Sequence, residues 1–253
     1  MTVKELYQKM SERIPESLSE PWDNDGLMCS QDTSAEVKKV LLTLDVTEEI
    51  VDFAIERSYD LIISHHPLVF RPVSRITEDN NVSRKLIKLI SNGISVFSFH
   101  TRADKVSGGV NDCLAKALGI GSTEPFGEGG LGRVGYLSRE MELDEFVDRV
   151  KTSLGTVGLR FANGYNTAHR VAIVGGDGKD YVKAALLAEA DTFVSGRLSY
   201  NVMEEASELG INLIEAGHYY TEAPVLSYFA ELVTGFDISL TVDVVDSNMI
   251  EVI

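Results

Sequence analysis

With 253 residues, 44% of them hydrophobic, the chain holds enough apolar material for one large core or two ordinary domains. Its 23 Lys and Arg against 39 Asp and Glu leave a net charge of −16, a field that repels phosphate backbones and anionic membranes, so no nucleic-acid partner is expected. A small phosphorylated substrate remains compatible with that charge, because bound divalent cations reverse the local sign. No apolar run of about 18 residues is present and residues 1–7 read as a helix start rather than a signal peptide, so the expected setting is the cytoplasm, with no membrane partner. Two isolated cysteines, Cys29 and Cys113, suit neither a disulfide framework nor a cysteine-based zinc site and read as buried thiols.

In chain order, Val3, Leu6, Tyr7, Met10 and Ile14 carry the spacing of an amphipathic helix over 3–14. Pro21 to Met28 is turn chemistry followed by a short apolar run. It holds the single tryptophan, Trp22, whose ring is expected to close over the core edge unless it serves a functional role. A strand is expected over 40–44, a helix over 47–57 capped by Thr47, and a strand over 60–64. That strand ends on Ser64-His65-His66-Pro67. Adjacent strand residues point to opposite faces, so two histidines serve one locality only where the extended run stops, and Pro67, lacking an N–H, supplies the stop.

A helix over 82–92 and a strand over 94–99 follow, and this strand also ends on a histidine, in His100-Thr101-Arg102-Ala103-Asp104. Another helix runs to Leu118 and closes at Gly119. The glycines between Gly127 and Gly135 do not follow a strand and open a helix, so they are no dinucleotide fingerprint; a linker with flexible or bulged backbone is expected there. A helix over 143–154 and a short strand over 158–161 come next.

The earlier pattern then returns: a strand over 171–174, a helix over 179–189, a strand over 191–195, a helix over 202–209 and a strand over 211–214. An offset of 131 (171 − 40) places Val40 on Val171, Asp60 on Asp191 and Ser64 on Ser195. The last strand again leads to a histidine with a carboxylate at i+4, His218 and Glu222 repeating His100 and Asp104. Gly196-Arg197 replaces His65-His66, so the two halves are expected to share a scaffold and differ in chemistry. The fold class is α/β: two similar domains with mixed or parallel sheets flanked by helices. The first is expected over 1–125 together with 220–253 and the second over 126–219.

Histidines and carboxylates gathered at strand ends, namely His65, His66, His100, Asp104, His218 and Glu222, point to a metal cluster. An imidazole and carboxylate set suits zinc, manganese, iron, cobalt or nickel and fits calcium poorly. Diverging neighbours such as His65 and His66 can each face a separate ion, and a carboxylate such as Glu222 can bridge a pair. His100, close to Asp104, is the candidate for a supporting or proton-transfer role, whereas His169 precedes a strand and reads as a surface residue.

Trp22-Asp23-Asn24-Asp25-Gly26-Leu27, Ser64-His65-His66-Pro67-Leu68, His100-Thr101-Arg102-Ala103-Asp104, Gly109-Val110-Asn111-Asp112, Gly175-Gly176-Asp177-Gly178 and Gly217-His218-Tyr219-Tyr220-Thr221-Glu222, in that order, resemble the NGG-interacting-factor-three-like family. Its bacterial members carry the label GTP cyclohydrolase I type 2, and the length matches its short form. The resemblance implies two α/β domains, a toroidal homohexamer and a dinuclear divalent-metal centre held by His65, His66, Asp104, His218 and Glu222, with Glu222 bridging. Two residues depart from the family pattern: Arg102 stands where asparagine is frequent, and Arg197 where an acidic residue is common. Both are expected to bear on substrate preference rather than metal binding. The leading expectation is a metal-dependent hydrolase acting on a nucleotide or similar small phosphorylated substrate. The alternative is a non-enzymatic metal-binding scaffold or metallochaperone.

Overall fold

The computed structural model describes residues 1–250, so the last three positions of the expected C-terminal segment lie outside the described residues. The chain divides into two compact units. One comprises Met1–Val106 with Leu226–Met249, and the other comprises Ser107–Val225.

The first unit begins with α1 (Val3–Arg13), whose Thr2 and Glu5 form a reciprocal capping box and whose Val3, Leu6 and Met10 are buried. It continues with β1 (Gly26–Cys29), β2 (Lys39–Thr43), α2 (Glu48–Glu56), β3 (Leu61–Ser64), α3 (Asn81–Ser91), β4 (Ser95–Ser98) and α4 (Thr101–Lys105). The second unit contains α5 (Val110–Leu118), β5 (Ile120–Phe126), β6 (Gly132–Met141), α6 (Leu143–Leu154), β7 (Arg160–Ala162), β8 (Ala168–Asp177), α7 (Val182–Leu187), β9 (Thr192–Arg197), α8 (Tyr200–Glu204), α9 (Ala206–Leu209), β10 (Asn212–Glu215) and α10 (His218–Glu222). The chain then enters α11 (Val225–Phe236) and ends its regular structure in β11 (Thr241–Val244), which pairs parallel with β2 in the first unit.

The first unit's sheet has the order β1-β4-β3-β2-β11, with β2, β3 and β4 parallel and β1 antiparallel at the edge. The second unit's sheet has the order β5-β6-β8-β9-β10-β7, in which β8, β9 and β10 are parallel. In that sheet Val171, Ile173, Val194 and Ile214 face one apolar cluster, and Ala172, Val174, Phe193 and Leu213 face another. The period-two alternation thus supplies two apolar faces, as a helix-covered parallel sheet requires.

The duplication is visible in hydrogen bonds as well as in element order. Val40 pairs with Leu61, and Val171 pairs with Thr192, each 131 residues on. Asp60 Oδ2 accepts from the amides of Lys38 and Lys39 at 2.8 and 2.9 Å, while Asp191 accepts from His169 and Arg170 at 3.1 and 2.7 Å. Lys39 Nζ donates to the Arg57 carbonyl, and Arg170 Nε to the Ala188 carbonyl, which is the same pair of positions.

Two expectations change. The glycines after Phe126 make the turn of a hairpin in which β5 and β6 pair antiparallel, rather than a linker. The unit boundaries accordingly fall at Val106/Ser107 and Val225/Leu226, not at 125 and 219. The α5 residues Leu114 and Leu118 pack in the second unit's core, and β5 belongs to its sheet. No helix among the described residues is long and apolar enough to cross a membrane.

Candidate metal centre

In the first unit, the C-terminal ends of β2, β3 and β4 lie side by side, and each delivers a polar side chain. The ladder continues past Ser64: the His65 amide donates to Thr43 O at 3.3 Å and the His66 amide to Leu44 O at 2.9 Å. Ser64 Oγ donates to the His66 carbonyl at 2.8 Å, fixing the chain just before Pro67. The His65 ring is fully buried and that of His66 partly so, with ring centroids 4.9 Å apart. His100 follows β4, its centroid 5.3 Å from that of His65 and 5.7 Å from that of His66. Ligand-capable nitrogens of the three rings all lie within 4.8 Å of one another.

Each ring is held through Nδ1 by an acceptor. His65 Nδ1 meets the Phe99 carbonyl at 2.9 Å, His66 Nδ1 meets Asp45 Oδ1 at 2.9 Å, and His100 Nδ1 meets Asp23 Oδ1 at 2.8 Å. A carbonyl and ionised carboxylates only accept, so each Nδ1 carries the proton and the neutral imidazole's lone pair sits on Nε2. This is how ligating histidines are oriented in metal sites. Asp104 approaches the same group, with Oδ1 3.7 Å from His65 Nε2. The donor set therefore fits a divalent transition metal.

Asp23 is central to the support. It also accepts from the Thr101 amide at 3.0 Å and the Thr101 hydroxyl at 2.6 Å. Burial alone raises its pKa, but the hydrogen bonds from His100 and Thr101 outweigh that and hold the carboxyl well below the usual range. Asp25 shifts the other way, raised by burial although Arg102 opposes the shift. Arg102 is fully buried, with Nε 3.0 Å from Asp25 Oδ2 and its guanidinium 4.5 Å over the Phe99 ring. The departure at Arg102 is thus a core ion pair. Arg197 is an exposed side chain 3.9 Å from Asp177.

His66 also borders a cleft of about 330 Å³ that is lined by Asp45, Lys85 and Arg84. Lys85 Nζ donates to the Val46 carbonyl at 2.6 Å, and burial lowers its pKa while Glu48 and Asp45 oppose the shift.

The second unit holds the other expected ligands. His218 and Glu222 share one face of α10, with Nε2 and Oε1 3.2 Å apart, Glu222 buried and His218 half exposed. The helix lies so close to the ends of β8 and β9 that glycines are needed there. A Cβ on Gly176, at φ +68°, would meet Glu222 Oε1, and one on Gly196 would lie 2.6 Å from Gly176 O and 2.7 Å from His218 Cα. Gly196 occupies the position of His65 in the repeat. The second half therefore gives up a histidine at the strand end to let α10 approach.

The structure thus brings His65, His66, His100 and Asp104 together in one unit and His218 with Glu222 in the other. His169 is exposed, its ring 5.3 Å from Tyr136. Trp22 does not close over the core edge; it is 62% exposed. Sequence reasoning missed Asp45, Asp23 and the Phe99 carbonyl as ring supports. Asp45 could have been found as a carboxylate just past a strand parallel to the one ending in His65.

The family profile described as Duf34/NIF3 (NGG1p interacting factor 3) matches residues 1–251. The chain belongs to the Duf34/NIF3 family. A Clostridium perfringens protein named GTP cyclohydrolase 1 type 2 homolog is 38% identical over 240 residues, 92% of this chain and 91% of its own length. NIF3-like protein 1 of Drosophila melanogaster is 32% identical over 236 residues, 90% of this chain and 80% of its own. The crystal structure of Staphylococcus aureus hypothetical protein SA1388 superposes with a TM-score of 0.89 at 28% identity, covering 100% of this chain and 99% of that one. This Duf34/NIF3 chain thus shares its fold and most of its length with these relatives.

Proposed function

We propose that this Duf34/NIF3 protein is a dinuclear divalent-metal-dependent hydrolase acting on a nucleotide or similar small phosphorylated substrate. His65, His66, Asp104, His218 and Glu222 are the residues that would hold two ions from among zinc, manganese, iron, cobalt and nickel. The observation that carries the reading is the set of three imidazoles whose Nδ1 atoms are each committed to an acceptor, so that their Nε2 lone pairs serve one locality. The GTP cyclohydrolase name belongs to the relatives and supports the nucleotide part of the proposal.

Bound divalent ions supply Lewis acidity and a water nucleophile active near neutral pH. The chain's own residues supply orientation and proton transfer. Asp45 and Asp23 set the tautomers of His66 and His100, and His100 Nε2 is the proposed group that takes up and returns a proton during turnover. A homohexameric ring is part of the same proposal, and light scattering should return a mass near six times 27.8 kDa.

The test is metal-reconstituted protein incubated with GTP, other nucleotides and a panel of phosphodiesters, beside a His65→Ala/Glu222→Ala variant. Turnover present in the parent and abolished in the variant is expected. Stable metal occupancy with no turnover above the variant would overturn the hydrolase in favour of a metal-binding scaffold.

A further inference from the structure

The first unit carries an aromatic rim beside its histidines that nothing in the hydrogen-bonded support explains. Trp22 is 62% exposed and Phe70 44% exposed, although both are large apolar rings. They pair edge to face with each other at 6.2 Å, and each does the same with His100 at 6.2 Å. The three rings therefore form a triangle with the histidine at one corner. Trp22 is not a floppy side chain on a free loop: its neighbour Asp23 bonds the His100 ring and the Thr101 amide, and Asn24 Nδ2 donates to the Val69 carbonyl next to Phe70. The rim is thus held in register with the imidazoles.

Phe70 also lines a cleft of about 680 Å³ together with Arg71 and Arg75. Both arginines are exposed, and neither guanidinium has an ion-pair partner among the described residues, whereas Arg84 and Arg102 of the same unit are paired with Glu48 and Asp25. The cleft's lone carboxylate, Asp79, accepts from the Thr77 hydroxyl. In a chain of net charge −16, the lining of this cleft carries two cations against one carboxylate.

We infer that the face of Phe70 stacks a flat aromatic ring, with Trp22 standing edge-on beside it, while Arg71 and Arg75 in the same cleft hold an anionic group on that ring, so the ligand of this site is a heterocycle bearing a phosphate. Aromatic faces accept any planar base, and a guanidinium fork matches phosphate oxygens. The inference rests on the hydrolase reading for what happens to that ligand, but not for its binding.

Trp22 is the single tryptophan, so its emission reports this position alone. Titrating the purified full chain with GMP, guanosine and ribose 5-phosphate should give quenching by the first two and none by the third. Phe70→Ala should weaken GMP and guanosine binding alike, by about tenfold. Arg71→Gln/Arg75→Gln should weaken GMP by a similar factor and leave guanosine unchanged, with the circular dichroism of both variants matching the parent. Absence of quenching by millimolar GMP, or an arginine variant that weakens guanosine as much as GMP, would overturn the inference. Because binding is read without turnover, quenching with no hydrolysis would sink the hydrolase alone. Hydrolysis of non-aromatic phosphoesters with no quenching would sink this subsite alone.

Discussion

At the scale of single residues, the support of the histidines includes a buried ion pair. Arg102 and Asp25 are both almost fully enclosed, 3.0 Å apart. Removing one partner of such a pair strands the other charge in a low-dielectric interior. Arg102→Met is therefore expected to cost about 3–5 kcal/mol in urea unfolding, and Arg102→Met/Asp25→Asn to recover part of that loss. Asp23 offers a pH test. Its folded pKa is depressed, so the stability it contributes is present above the ordinary carboxylate value of about 3.9 and is lost as pH falls through the lower folded value. Asp25, raised in the fold, acts in the opposite sense: its favourable contribution is complete at low pH and is lost as pH rises through its folded value. With metal chelated, melting temperature measured from pH 5 down to about 3 should fall less steeply for Asp23→Asn than for the parent.

At the scale of elements, one α/β plan serves both units, and it is specialised by the residue that ends the middle strand. Where β3 runs into His65, the chain keeps a buried imidazole held by the Phe99 carbonyl. Where β9 reaches Gly196, the space of a side chain is taken by α10 and Gly176. Gly196→Ala should push α10 away from β8 and β9, costing about 1–3 kcal/mol of stability and weakening metal binding as measured by calorimetry. Gly121→Ala is the control, because its nearest new neighbour would be at an ordinary 3.9 Å. An unchanged metal affinity in Gly196→Ala would show that the placement of α10 does not matter to ion binding. The strand starts of the two repeats are closed in matching fashion by Asp60 and Asp191, which bond the two amides preceding or opening β2 and the same positions on β8.

At the scale of the whole molecule, a metal held by the proposed ligands would couple its binding to folding, because those ligands are assembled only in the folded chain. Zinc or manganese at 100 times its dissociation constant should stabilise the protein by about 2.7 kcal/mol, a rise of about 5–10 °C in melting temperature for a chain of this size. Chelation should reverse the shift, and His65→Ala should remove most of it. An unchanged melting temperature in the parent would count against the metal site irrespective of activity.

The sequence by itself determined the α/β class, the repeat and the strand ends at which the chemistry is placed. These depend on local period, on glycine and proline, and on which residue follows each apolar run. It also marked His65, His66, Asp104, His218 and Glu222, whose motifs are contiguous in the chain. Only the tertiary structure decided what surrounds them. Asp45, Asp23 and the Phe99 carbonyl meet their histidines across separations of 21, 77 and 34 residues, which no local pattern encodes. The fold likewise made Arg102 a buried counter-ion of Asp25 and moved Trp22 from the core edge to an exposed rim. In each case burial is a property of what packs on a residue rather than of the residue itself.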